Sequence, residues 1–141
     1  MAGTYTYSSK EVSIVLGTAE IKGAGDGDFV SVSMKEDAFT EVSGAYGDVT
    51  WSMNPNTLAE VKITLQSSSP SNDILSAIHI GDRQTGLGTL PLFIKDGSGR
   101  DKFGSTAARI MKMADITKGK EAGTREWTLS CANSQMFVGG N

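Results

Sequence analysis

His79 is the only histidine in the chain, so any zinc site or Ser-His-Asp triad has to be assembled around it. It follows Ile78 and precedes Gly81 near the end of a helical pattern, where an imidazole serves the last carbonyls and the helix dipole. Cys131, the only cysteine, has apolar neighbours and no basic residue beside it. That describes a buried structural thiol rather than a nucleophile. Asp26, Asp28, Asp96 and Asp101 sit in glycine-rich stretches. The run GAGDGD lacks the acidic spacing and terminal glutamate of a calcium hand, and DGSGRD has two carboxylates on a tight loop. Turn formation accounts for both. Between Gly81 and Gly88 a G-x-x-x-x-G spacing occurs without the following Lys-Ser/Thr of a phosphate loop. No carboxylate pair is arranged for glycoside hydrolysis. The expectation is a non-enzyme with no catalytic residues, no metal and no cofactor.

The 141 residues suit one domain over 1–141 with a core that needs no metal or disulfide staple. With 38% hydrophobic and 21% charged residues the chain is not a disordered tail. Seventeen glycines are dispersed without a Gly-X-Y period, which excludes collagen and suggests many turns between short strands. A net charge of −3 argues against a dedicated nucleic-acid binder, which shows a basic face. The polar start, Met1 to Lys10, has no apolar signal core, and no window has the length of a membrane span. Synthesis in the cytoplasm is expected.

The elements that must position these residues are mostly strands. Val12, Ile14 and Leu16 alternate with polar neighbours, as do Val30, Val32 and Met34, and then Val49, Trp51 and Met53. Val61, Ile63 and Leu65 face one way while Glu60, Lys62, Thr64 and Gln66 face the other. Ser69 and Pro70 mark a helix start, Ile74, Leu75 and Ile78 recur at helical spacing, and Gly81 is the expected stop. Leu90 to Ile94 reads as a strand that Pro91 sends to an edge or delays. Asp96 to Gly99 is a turn, Phe103 to Ala114 is extended, and Trp127, Leu129 and Cys131 form the last clear strand, with a short addition at Met136 to Val138. Eight or so strands around one helix, without βαβ alternation, predict an antiparallel β-sandwich or barrel with one flanking α-helix.

Ser43 to His79, SGAYGDVTWSMNPNTLAEVKITLQSSSPSNDILSAIH, resembles the middle of the tail tube proteins of contractile-tailed bacteriophages. The shared order is a Gly-x-x-Gly turn, a strand, an Asn/Asp loop, a V-x-I-x-L strand and a Ser-Pro-Ser-Asn-Asp helix start. TREWTLSC, Thr124 to Cys131, is similar to the family's late strand. Tyr46 departs from the small or acidic residue expected in that turn.

The resemblance implies a structural subunit of the phage tail, a virion component whose copies form hexameric rings. The rings stack into a hollow tube inside the contractile sheath and conduct DNA. Expected partners are further copies of the chain, the tail sheath protein, and the baseplate hub, tape measure and tail terminator proteins. DNA passes through the lumen without specific binding, and no membrane is bound. Phe39 to Met53 is expected to touch the next ring, with Phe39, Ser43, Tyr46 and Gly47 as contacts. Glu60, Lys62, Thr64 and Gln66, or Thr128 and Ser130, are expected to face the lumen. The alternatives are a tube subunit of a type VI-like or pyocin-like injection system, and a sugar-binding β-sandwich module. The latter needs an aromatic platform, for which ten aromatic residues leave little material.

Overall fold

Period-two alternation governs most of the chain. The computed structural model describes residues 12–23, 29–97 and 99–140. In chain order the elements are β1 (Val12–Leu16), β2 (Ala19–Glu20), β3 (Val30–Met34), β4 (Phe39–Ser43), β5 (Val49–Met53), β6 (Ala59–Gln66), α1 (Ser71–Thr85), β7 (Leu90–Asp96), β8 (Lys102–Lys112) and β9 (Thr124–Phe137). Seven strands form one antiparallel sheet in the order β2-β1-β7-β8-β9-β6-β3, and among the described residues β4 pairs only with β5. The fold is therefore mainly antiparallel β with a single helix, as the strand count predicts. The sheet does not close into a barrel, because β2 and β3 remain its two ends. The ends are drawn toward each other by the segment after β2. Gln66 N–H donates to Gly23 O (2.8 Å), and Lys22 N–H donates to Ser71 Oγ (2.8 Å).

The inner face collects the alternating apolar residues: Ile14 and Leu16 of β1, Val61, Ile63 and Leu65 of β6, Leu92 of β7, Ile110 of β8, and Trp127, Leu129 and Cys131 of β9, with Leu75 from the helix. Burying such side chains contributes about 1.5–3 kcal/mol each. Asn133, at φ 52°, kinks β9 so that Cys131 and Ser134 both face the core. Asparagine tolerates this left-handed conformation better than other side chains.

The helix differs from expectation at its end. It passes through Gly81 and stops at Thr85, where Gly86 adopts φ 72° and donates its N–H to Asp82 O. Nothing lies within 4 Å of the place where a Cβ on Gly81 would sit, so this glycine weakens the helix without breaking it. At the other end Ser69 Oγ accepts from Ser71 N–H (3.2 Å) and donates to Lys22 O. A Cβ on Gly23, which holds φ 81°, would lie 2.5 Å from Ser69 Oγ, so only glycine fits this crossing.

His79 does not serve its own helix end. It is buried in the middle of α1, and its Nδ1 donates to Ile110 O at 3.1 Å. The β7–β8 register ends at Leu90↔Ala108, so β8 continues past its neighbour and the helix covers that flank. β7 is not an edge strand either, since it lies between β1 and β8. Pro91 is tolerated because the register slips between Leu90 and Leu92. Met136 and Phe137 belong to β9 itself rather than to a separate strand.

Candidate functional site

Among the described residues no group of three or more His, Cys, Asp or Glu converges to hold a metal ion, and no helix is long and apolar enough to cross a membrane. Asp96, the buried last residue of β7, and Asp101 flank the turn: Asp96 N–H donates to Asp101 O, and Asp101 carboxylate accepts from Gly139 N–H (2.8 Å). Asp26 and Asp28 lie outside the described residues. Burial pushes the Cys131 thiol up to about 11, with a hydrogen bond from Ser105 opposing the shift, so the thiolate needed of a nucleophile is not formed near neutral pH. What the chain offers instead is surface.

The first surface is the β4–β5 hairpin. The sequence reads its second strand, Val49 to Met53, but not the first; the two form a paired ribbon in which every residue is exposed. Its register sets Phe39 opposite Met53, Glu41 opposite Trp51 and Ser43 opposite Val49. Directly paired residues share a face. One face therefore carries Phe39, Met53, Trp51 and Val49 with Glu41 among them, while Thr40, Ser52, Thr50 and a single apolar residue, Val42, lie on the other. Trp51 is 69% exposed and Tyr46, at the tip, 97%. Gly47 N–H donates to Gly44 O and Gly44 N–H to Asp48 O, with Gly47 at φ 89°, the left-handed position that such a bulged turn requires. The root is clamped by Asn54, whose Nδ2 donates to Glu36 Oε2 (2.6 Å) and whose Oδ1 accepts from Asn56 N–H. Of the residues expected in this contact, Phe39 lies in the apolar row, Ser43 at its end, and Tyr46 and Gly47 in the turn.

The second surface is the outer face of the β3, β6 and β9 sector. Glu60 pairs with Ser130, Lys62 with Thr128 and Thr64 with Glu126, while Gln66 pairs with Thr124 and Ser31 with Lys62. All six residues expected on a polar face, from two strands treated as alternatives, thus lie side by side on one face. Its cations are matched: Lys62 Nζ lies 3.9 Å from Glu60, Arg109 Nε 2.8 Å from Asp82, and Lys112 Nζ 3.5 Å from Asp115. The Arg109 pair is partly buried and also reaches Gly86 O (2.8 Å), and Asp82 accepts from Gly88 N–H (2.9 Å), which fixes the loop after the helix.

A third surface was not anticipated. On the outer face, at the far end of β7, β8 and β9, Phe93 pairs with Gly104 and Lys102 with Phe137. Phe93 is 53% and Phe137 59% exposed. They flank a groove of about 560 Å³ whose floor includes Gly104. The sequence signal is a lone glycine inside a strand beside two outward phenylalanines, but the register is needed to bring them together.

Residues 3–139 match the family described as Bacteriophage PhiTE tail tube protein. A structural protein, ORF10, of Pseudomonas phage KPP10 is 34% identical over 150 aligned positions, covering 100% of this chain and 87% of that protein. The fold is similar to a cryo-EM structure of the anti-feeding prophage cap, with TM-score 0.65 and 13% identity over 98% of this chain and 95% of that one. It is also similar to a chain of the PVC extracellular contractile injection system sheath-tube complex in its extended state, with TM-score 0.63 and 12% identity over 95% and 93%.

Proposed function

This chain belongs to the PhiTE-type phage tail tube protein family, and from that premise we propose that its copies close into hexameric rings that stack into the hollow inner tube of a contractile tail. The observation that carries the proposal is the β4–β5 hairpin, whose apolar face is exposed and which no other described strand pairs with. A two-stranded ribbon is marginal alone and gains stability when its apolar face is packed. The hairpin is the contact between successive rings. Among the described residues, β2 and β3 are the edge strands of the main sheet, and lateral contacts within a ring cover them.

The polar β3-β6-β9 face lines the channel. Glu60, Lys62, Thr64, Gln66, Thr128 and Ser130 present hydroxyls, an amide and a paired cation to the passing DNA. Phosphates bind where free Lys and Arg converge, so this surface lets the genome slide. The tube's other contacts are the sheath around it and the baseplate hub, tape measure and terminator proteins at its ends and along its length. Its place is in the virion, and the role is structural rather than enzymatic.

A second reading, a tube delivering protein from a phage-like injection particle, is favoured by the structural likeness to the anti-feeding prophage and PVC assemblies. Nucleic acid in the isolated particles distinguishes the two. Self-assembly itself is tested by sedimentation velocity and negative-stain microscopy at high protein concentration, with and without a baseplate seed. Rings or tubes are expected; a strict monomer under all these conditions sinks the proposal. Deleting Ser43 to Gly47 is expected to leave a folded monomer that no longer stacks.

A further inference from the structure

The apolar row of the hairpin has a carboxylate in its middle. Glu41 stands directly opposite Trp51, between the Phe39–Met53 pair and the Ser43–Val49 pair. Whatever covers this row also strips water from Glu41, and a desolvated carboxylate is tolerated only beside a cation. The residues from Glu36 to Met53 also include Asp37 and Asp48 but no Lys or Arg. The partner surface must therefore be apolar and basic together.

The groove on β7-β8-β9 has that chemistry. Lys95 stands directly opposite Lys102 on the outer face, beside Phe137, and two residue pairs further on, on the same face, Phe93 stands opposite Gly104. Like charges directly opposite each other destabilise a sheet. Among the described residues neither lysine is in an ion pair, and a carboxylate between them would remove the repulsion. With no side chain at Gly104 the Phe93 ring lies over its backbone, and the groove runs from there to Phe137. The atoms Cδ1 and Cε1 of Phe93 lie 3.4 Å from where a Cβ on Gly104 would stand.

We propose that the hairpin of one copy docks into the Phe93–Gly104–Phe137 groove of another copy, with Glu41 placed between Lys95 and Lys102. This rests on the reading of the chain as a self-assembling tube subunit and names the receptor for its hairpin. The two surfaces are different patches of the same chain, so the contact is heterologous and propagates from copy to copy, as a tube requires.

The test is charge reversal with rescue. Glu41→Lys alone, and Lys95→Glu with Lys102→Glu, are each expected to abolish tubes in negative-stain images while circular dichroism stays native. Combining all three changes in one chain restores assembly. Gly104→Val, which pushes the Phe93 ring aside and narrows the groove, is expected to leave a folded monomer that assembles poorly. If Glu41→Lys and Gly104→Val both form tubes as the unaltered protein does, or if the triple variant stays monomeric while folded, the docking is refuted although self-assembly stands. If the unaltered protein never assembles, the tube reading fails and the docking with it.

Discussion

The indole N–H of Trp127 donates to Oδ1 of Asn72 across 3.0 Å, tying the last long strand to the first turn of the helix. Asn72 uses its amide in both directions. Its Nδ2 donates to Gln66 O (2.9 Å) and Ser69 O (3.1 Å), two carbonyls of the connection that leads into the helix. One side chain thereby joins β6, α1 and β9.

Replacing Asn72 by Ala removes these bonds and a longer one to Ser67 O, and leaves the indole N–H of a buried tryptophan without its acceptor. The expected cost is about 1–3 kcal/mol. Asn72→Asp keeps the acceptor for Trp127 but turns a carboxylate toward two carbonyl oxygens, so it is expected to be at least as damaging. Equilibrium urea unfolding followed by near-UV circular dichroism reads both. A stability within 0.3 kcal/mol of the unaltered protein, on the order of experimental error, would show that the junction is held by apolar packing alone.

At the root of the hairpin, hydrogen bonds from Asn54 and then Asn56 hold the Glu36 carboxyl below the usual glutamate range. A depressed pKa in the folded state means that the stabilisation is present above the ordinary glutamate value and is lost as pH falls through the depressed one. The side chain is fully exposed, so the effect is confined to hairpin order. Side-chain NMR titration is expected to give a lower value for Glu36 than for its Asn54→Ala variant. Amides of residues 38–54 should exchange faster in the variant. Equal titration curves in the two proteins would refute the clamp.

Cys131 shifts the other way. Its thiol, raised by burial from about 9 to about 11, stays protonated in the folded chain after an unfolded one has ionised. The stabilisation is therefore complete below pH 9 and is lost as pH rises toward 11. Native protein is expected to resist alkylation at pH 8 and to react after urea unfolding. The alkaline fall in stability should be shallower in Cys131→Ala. Rapid labelling of the folded protein would mean that the strand opens far more readily than its burial implies.

Much of this was legible in the residues. The alternation of Val61, Ile63 and Leu65 fixed both the core face and the polar face of β6, because a strand has only two faces. The helix start was readable from Ser69 and Pro70, but its end was not. Gly81 sits where a missing side chain disturbs nothing, and the stop at Gly86 depends on a left-handed backbone next to Asp82. Phe39–Ser43 has no buried face, so hydrophobic periodicity gave no reason to pair it with Val49–Met53. The bond from His79 to Ile110 O and the Phe93–Gly104–Phe137 groove both depend on where β7 sits against β8, which is a matter of register rather than of local sequence.

The polar β6–β9 face supports a last prediction about DNA. If Glu60, Lys62, Thr64 and Gln66 line the channel, their low affinity for phosphate comes from the single cation being paired with Glu60 (3.9 Å). Glu60→Lys removes that partner and adds a charge, and Thr64→Lys adds another on the same face, two residues beyond Lys62. Repeated around each ring, these changes turn a neutral wall into a stack of phosphate sites. Each site holds DNA through counterion release, which weakens steeply as salt rises. The double variant is therefore expected to assemble normally, because Glu60 and Thr64 are half-buried on the polar face and not part of the core. Genome release from the variant tails should slow at low salt and recover at high salt. Assembled tails whose release is unchanged at both salt concentrations would place this face away from the channel. The pairing of Glu60 with Ser130 and of Lys62 with Thr128 then supplies a control: Thr128→Lys on the neighbouring strand must give the same salt-dependent defect, since both strands present one surface.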